Sequence, residues 1–370
     1  MKIIKEATTK ILAEEQKIVD KKMPVFYNPV MKLNRDITIL LLQAIWEQGS
    51  EHRVQTTNHK PQVIADPLAG SGIRSIRMIK ELPQNITKEI LVNDKKENYK
   101  EYMKKNIELN KLNEEQSAKI KIYNEDANTF LFENRPFDYI DIDPFGTPNP
   151  FLDSAIRSLR SDGILAVTAT DTSALCGSYP KACKRKYWAE PLRNELMHEI
   201  GLRILIRKVQ LMGTNHQRAL VPTLSYSHDH YMRIFFRFDK GKQNMDKVLK
   251  QHEPFMFEGK EYGPIWSGQL NDLELLKKIL SETEKEETQK NIEKRTIKLL
   301  QTLKEETQIE QIGFYDIHTL AKGKEGTLPK FETIIKKLEE KGYKASRTHF
   351  RDTAIKTDAP KEEVIKLIKK

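Results

Sequence analysis

"VIADPLAGSG", residues 63–72, runs an apolar stretch into an acid, a proline and two glycines, and "IRSIRMIKEL" (73–82) continues it at helical spacing. A buried strand that turns on Gly70 and Gly72 into a helix is the first half of a βαβ unit. Glycine there lets the backbone turn tightly and approach a ligand. The dinucleotide version of the turn carries G-x-G-x-x-G, with a pyrophosphate on the helix N-terminus. Here Ser75 stands where the third glycine would be, and no P-loop lysine follows. A nucleotide-type site and a plain tight turn both remain open for this stretch.

The pattern repeats outward. "KEILVND" (88–94) predicts a second strand and "KENYKEYMKKNIELN" (96–110) a helix. "AKIKIYNEDA", "FDYIDIDP" and "GILAVTATD" supply a third, fourth and fifth strand. Short apolar runs alternating with helices indicate a parallel sheet. "GLRILIRKVQLM" (201–212) and "YMRIFFRF" (231–238) read as later strands forming an edge hairpin. Upstream, a short hairpin precedes "PVFYNPVMKLNRD", Asn34 is the expected N-cap of a helix reaching Glu47, and "EHRVQTTNHKPQ" (51–62) is a loop. Beyond residue 240 the chain becomes polar, with charged helices over 271–308 and then a compact α+β module. The boundary is therefore set near 240, dividing the chain into 1–240 and 241–370.

With 370 residues the chain is long enough for two domains. Its net charge is +10 and its pI near 9.2, which suits a polyanionic partner. The abundance of both Lys and Glu also fits a thermophile's surface. No segment reaches the ~20 apolar residues of a membrane helix, and the N-terminus has no signal-peptide core. Only Cys176 and Cys183 are present, too few for a disulfide framework or a four-cysteine zinc site. Cytoplasmic residence is the expectation.

Acids follow three of the strands. Asp66 precedes the glycines; Asp94 ends the second strand, placed to accept from both ribose hydroxyls; Asp126 follows the third, placed for an adenine amine. Each taken singly is as well read as a helix cap or loop acid. Together, at the carboxyl ends of parallel strands, they suggest an adenosine-bearing ligand without a pyrophosphate.

"DIDPFG" (141–146) adds a different chemistry. An exocyclic amine on a nucleobase is a poor nucleophile, because its lone pair is delocalised into the ring. Methylating it requires acceptors for its N–H groups that turn the lone pair toward an electrophilic methyl. Asp143, the carbonyl of Pro144 and the ring of Phe145 are of those types in that order, similar to the D-P-P-Y signature of amine methylation. A D-x-D metal site on Asp141 and Asp143, which share a strand face, and a plain turn are the competing readings.

"PVFYNPVMKLNRD", "DPLAGSGIRSIR", "DIDPFGTPNPFLDSA", "ATDTSALCGSYPKACKRKYW" and "GPIWSGQL" closely resemble the archaeal and eukaryotic tRNA (guanine-26) N2-dimethyltransferases. The resemblance spans about residues 25–270 and implies an α/β, class I (Rossmann-like) methyltransferase domain with a smaller C-terminal α+β domain. It implies S-adenosyl-L-methionine as cofactor and tRNA as partner. Carried over position by position, Arg35, Asp66, Gly70, Gly72, Arg74, Asp94, Asp126 and Ala127 surround the donor. Asp143 and Pro144 hold the guanine amine, with Phe145 and Phe26 as aromatic walls; for Phe26 a place in the core competes equally. Many relatives carry four zinc-binding cysteines before the "GPIWSG" segment; here "LKQHEPFMFEGKEY" has none. His252 is read as an exposed loop residue, and no metal is expected. A monomer is the favoured state.

"PKACKRKYW" places Lys181, Lys184, Arg185 and Lys186 beside Tyr187 and Trp188, a composition that grips phosphates and stacks on bases. A solvated charged loop is the alternative. Other nucleic-acid amine methylation, on adenine or cytosine, and a silent tRNA-binding scaffold are the competing functions. Removing the charges of Lys184, Arg185 and Lys186 together should weaken tRNA binding and flatten its dependence on salt. An unchanged slope in a salt titration would return this segment to the solvated loop.

Overall fold

The computed structural model describes residues 1–13, 26–46, 62–322 and 328–368, so the loop expected over 51–62 lies almost wholly outside the described residues. β1 (Lys2–Glu6) and β2 (Thr9–Ala13) form the expected N-terminal hairpin. A 3-10 turn over Pro29–Met31 leads into α1 (Lys32–Trp46). Asn28, not Asn34, caps this entry, its side chain accepting from the Val30 N–H. Asn34 is instead buried within the helix, where a polar amide needs partners; it accepts from Arg74 at 2.9 Å.

The alternation follows as read: β3 (Gln62–Asp66), α2 (Ile73–Glu81), β4 (Thr87–Asn93), α3 (Tyr99–Leu109), α4 (Glu114–Ala118) and β5 (Ile120–Tyr123). Next come α5 (Ala127–Glu133), β6 (Phe137–Ile142), α6 (Asn149–Ser158) and β7 (Leu159–Ala169). After α7 (Thr172–Leu175), α8 (Pro180–Tyr187) and α9 (Met197–Thr214), the hairpin β8 (Ala219–His228) and β9 (Tyr231–Asp239) completes a seven-stranded sheet ordered β5-β4-β3-β6-β7-β9-β8. The first five of these strands are parallel, and β9 runs antiparallel to β7 and β8. Strand order reverses between β3 and β6, which opens a crevice beyond their carboxyl ends. Side chains alternate across the sheet: Val63 and Ala65 enter one apolar core with α5, α6 and α9, while Ile64 enters the other with α1, α2 and α3.

α9 overturns one expectation, since "GLRILIRKVQLM" is helix and the partner of β9 is residues 219–228. Ile200, Leu202, Ile204, Leu205, Ile206 and Val209 are all buried, so the run lacks the one-sided pattern that marks a surface helix. Its buried Arg203 is satisfied by Glu199 and by the carbonyls of Trp266 and Gly268.

The rest of the chain holds α10 (Lys242–Lys250), β10 (His252–Phe257), β11 (Lys260–Trp266), α11 (Leu273–Thr283), α12 (Glu286–Gln289) and α13 (Lys294–Glu306). Leu276, Ile279 and Leu300 of α11 and α13 share a core with Leu40 and Leu41 of α1. Within the charged stretch expected as helices, 281–295 is broken around α12 and buries Glu282, Thr283 and Ile292. β12 (Tyr315–Asp316), α14 (Ile317–Ala321), α15 (Phe331–Glu340), β13 (Ala345–Arg347), β14 (Ala354–Thr357) and α16 (Lys361–Ile368) follow. They gather a separate apolar cluster around Ile317, Ile334, Leu338, Ile355 and Val364. His252 is not an exposed loop residue: it sits half-buried on β10 and bonds Gln210 at 2.8 Å. Burial pushes its imidazole down to about 4, so it stays neutral at ordinary pH. Among the described residues no helix is long and apolar enough to cross a membrane.

One fully buried guanidinium ties the N-terminal hairpin to the sheet's helices. Arg77 of α2 donates to Glu6 at 3.0 Å, to Asp36 of α1 at 2.6 Å and to Glu81 at 2.9 Å. Arg77→Met should lower the unfolding free energy by about 3–5 kcal/mol, because it leaves buried carboxylates without a counter-charge. Urea denaturation measures this, and a loss below ~1 kcal/mol would show that the acids escape to water.

Candidate active site

The crevice is built on the turn after β3. Gly70 and Gly72 both adopt positive φ (57° and 74°), as the sequence required of them. The Gly70 N–H donates to Asp94 Oδ2 at 2.9 Å, and a Cβ at Gly70 would lie 3.3 Å from the ring and carbonyl of Phe26. Ser71 N–H donates to that same carbonyl at 3.1 Å, so the chain at Phe26 lies against the turn. Asp94 also accepts from Lys96 N–H through Oδ1. It does not cap α3, whose N-cap is Asn98. Asp126 does cap α5, taking the N–H groups of Asn128 and Thr129 on Oδ1 alone, with Ala127 buried behind it. Asp94 thus stands at the carboxyl end of β4, and Asp126 beyond that of the neighbouring β5.

The two acids of "DIDPFG" have different surroundings. Asp141 is fully buried and receives a two-pronged bond from Arg233 of β9 (2.8 and 2.7 Å) and the Tyr139 hydroxyl at 2.6 Å. Arg74 adds a charge contact at 3.3 Å. Burial alone would raise this carboxyl, but Arg233 and Arg74 overcome it and hold it down at about 2. With its oxygens committed to two guanidiniums, Asp141 is a structural anchor, and the D-x-D metal reading loses one of its two ligands. Asp143 is partly exposed, and its Oδ2 takes Arg74 Nη2 at 2.5 Å. The remaining oxygen, Oδ1, carries no bond among the described residues.

The arginines expected at the donor have protein partners. Arg74 is held by Asp143, Asp141, Asn34 and Thr38, all satisfying a guanidinium that burial has taken from water. Arg35 makes a two-pronged pair with Glu6 (2.7 and 2.5 Å) and also donates to the Asn28 carbonyl. Asp66 is buried beneath the turn and accepts from Ser75 at 2.7 Å. Burial, opposed by Arg74 and reinforced by Asp141, pushes its carboxyl up to about 7.

Phe26 and Phe145 meet edge to face with ring centroids 4.3 Å apart, and Phe145 is half exposed. At that separation no third ring lies between them. Pro144 is buried behind Phe145. The basic helix α8 borders the same mouth. Lys181 and Arg185 are exposed, Lys184 pairs with Glu190, and Lys186 pairs with Asp171 at 3.1 Å. Tyr187, read as a base-stacking ring, is instead fully buried; the exposed rings flanking α8 are Tyr179 and Trp188. The sequence reading missed Arg233, although an arginine inside the apolar run "YMRIFFRF" is a visible signal of a buried counter-charge. It also missed Thr170 and Asp171, which follow β7 beside the "DPFG" loop; the lone polar residues there carry no distinctive spacing.

The family model for N2,N2-dimethylguanosine tRNA methyltransferase matches residues 6–257 and 251–369. The tRNA (guanine(26)-N(2))-dimethyltransferase of Thermococcus kodakarensis is 39% identical over 99% of this chain and 98% of its own. The tRNA (guanine(26)-N(2)/guanine(27)-N(2))-dimethyltransferase of Aquifex aeolicus is 36% identical, over 99% and 95% respectively. Among solved structures, Trm1 from Pyrococcus horikoshii in complex with S-adenosyl-L-methionine superposes with a TM-score of 0.85 at 35% identity, each chain fully covered.

The raised Asp66 carboxyl makes a signed prediction. Between its ordinary value of 3.8 and about 7, the unfolded chain gives up a proton that the fold retains, so this group's stabilisation is lost as pH rises through that window. Asp66→Asn keeps an acceptor for Ser75 and removes the linkage. Its melting temperature relative to the parent should therefore climb from pH 5 to pH 8. A pH-independent difference would show that Asp66 is ionised throughout.

Proposed function

The chain belongs to the family of N2,N2-dimethylguanosine tRNA methyltransferases, and on that premise we propose that it transfers methyl groups from S-adenosyl-L-methionine to the N2 amine of guanine 26 in tRNA, twice. The observation that carries the reading is the placing of Asp143, Pro144 and Phe145 at the strand-order reversal, beside the Gly70–Asp94 rim. The residues present suit the donor. Gly70 brings the backbone close, Asp94 offers a carboxylate for ribose hydroxyls, and Asp126 with Ala127 borders the place for adenine. Arg35, buried in its Glu6 pair, is assigned to the methionine carboxylate. Asp66 and Gly72 shape the turn from beneath. When bound, the donor supplies an electrophilic methyl on a sulfonium.

The chain's own residues then present the amine. Asp143 Oδ1 and the Pro144 carbonyl accept the two N–H bonds, which turns the nitrogen lone pair outward. Arg74 fixes Asp143 by holding Oδ2, and is assigned to that task. A guanine stacked in tRNA cannot expose its amine, so the base is flipped into the crevice. There it parts Phe26 from Phe145 and stacks on the exposed ring. Attack needs no strong base beforehand; the nitrogen's proton becomes acidic as positive charge develops, and Asp143 takes it. A monomethylated amine keeps one N–H, so one acceptor still orients it for a second transfer.

Basic residues Lys181, Lys184, Arg185 and Lys186 are assigned to the tRNA backbone, and the segment 241–370 to an accessory hold on the same substrate. Cytoplasmic residence completes the reading, in keeping with two buried, unpaired cysteines.

Incubation with labelled S-adenosyl-L-methionine and unmodified tRNA transcript, followed by nucleoside mass spectrometry, should give N2,N2-dimethylguanosine; label on adenosine or cytidine would overturn the substrate. Asp143→Asn keeps the volume and an acceptor for Arg74, and should lower kcat by about 10²–10⁴-fold with donor affinity nearly unchanged. A comparable loss of donor binding would move Asp143 into the donor site.

A further inference from the structure

Five hydrogen bonds link the loop after Phe145, the start of α6, the residues after β7 and α8 to one another. Gly146 N–H donates to Thr170 Oγ1 at 2.6 Å, and Thr170 N–H returns a bond to the Gly146 carbonyl at 2.9 Å. Asn149 Nδ2 donates to the Lys186 carbonyl at 2.8 Å. The Tyr187 hydroxyl lies 2.6 Å from Asp171 Oδ1 and 3.0 Å from Thr147 Oγ1. A carboxylate only accepts, so the single phenolic proton goes to Asp171 and the Thr147 hydroxyl donates to the phenol oxygen. Burial, with the charge of Asp171, pushes the Tyr187 phenol well up, so it stays a donor across the working range of pH. The other oxygen of Asp171 takes the Lys186 ammonium at 3.1 Å. Gly146 itself gives no lateral support: it has φ 88°, and a Cβ there would meet nothing within 4 Å. The loop that carries the amine acceptors is therefore held from its far side.

We propose that Tyr187 and Asp171 are positioning residues for methyl transfer: through Thr147 they fix the Asp143–Gly146 loop to α8, so that the helix assigned to the tRNA backbone and the acceptors of the target amine move as one body. The proposal rests on the function proposed above and adds residues to it. Neither side chain is assigned a contact with the base or the donor. Tyr187 is buried in the same apolar core as Cys183 and Leu192, and its hydroxyl reaches Thr147 of the loop. Amine orientation is most demanding once one N–H has been spent, because a single acceptor must then aim the lone pair. A loosened loop therefore slows the second transfer more than the first.

Tyr187→Phe keeps the ring and removes both bonds. It should lower kcat on unmodified tRNA transcript by about 10- to 100-fold and leave the donor and tRNA dissociation constants within about threefold. Its product should shift from N2,N2-dimethylguanosine toward N2-methylguanosine. Thr147→Val should do the same, Thr147→Ser should restore activity, and the Thr147→Val/Tyr187→Phe double variant should be no worse than either single one. Full activity in Tyr187→Phe, additive losses in the double variant, or losses that follow tRNA affinity would each overturn the proposal. A parent protein that does not methylate guanine N2 would instead overturn the underlying function, which the same nucleoside analysis reads separately.

Discussion

Beneath the crevice, one buried carboxylate between two guanidiniums sets the geometry above it. Asp141 comes from β6, Arg233 from the antiparallel strand β9 and Arg74 from the helix after the glycine turn. Three elements that are far apart in the chain are thereby brought to one point under the strand-order reversal. Charges stripped of water are costly unless fully paired, and here Arg74 and Arg233 are balanced by Asp141 and Asp143. The arrangement is exacting because every partner is needed. Arg74 must reach past Asp141 to Asp143, which sets where the exposed carboxylate stands. The position of the proposed amine acceptor thus follows from the neutralisation of a charge two residues earlier.

Two acids in "DIDPFG" therefore part company by burial alone. Strand periodicity puts both on one face, yet the strand ends between them. Asp141 falls within the hydrophobic layer and must be paired, whereas Asp143 reaches the rim and keeps an oxygen free. Spacing raised the metal alternative; the arginines, contributed from 67 and 92 residues away in sequence, decide against it.

The parallel half of the sheet and the convergence of its acids were legible because periodicity and glycine placement are local. Gly70 and Gly72 needed left-handed backbone, and residues 63–65 alternate between two cores. What stayed hidden was partnership. Arg74 looked like a ligand for a bound carboxylate, but the protein supplies one of its own at Asp143, and nothing local foretold that Arg35 would pair with Glu6. Tyr187 sat among lysines and looked exposed, although its helix turns it inward. The run 201–212 looked like a strand because a helix buried on every side shows no polar stripe. Asn28 displaced Asn34 as the cap because Pro29 starts the turn earlier than the apolar pattern does. That cap apart, the deciding contact lies across the fold, beyond any window of sequence.

The N-terminal hairpin also bears on the order in which the chain acquires shape during synthesis. Its backbone N–H groups at Lys10 and Leu12 donate to Asn110 and Asn106, and Glu6 completes Arg35 and Arg77. Residues 2–13 leave the ribosome about a hundred positions ahead of their partners Asn106 and Asn110. A two-stranded ribbon is marginal by itself, so this segment waits, unpaired, until the first two βα units have emerged. Only then does Arg35 gain its counter-ion. Residues 2–13 are thus secured only once α3 is in place, although β6 to β9 are still to be made.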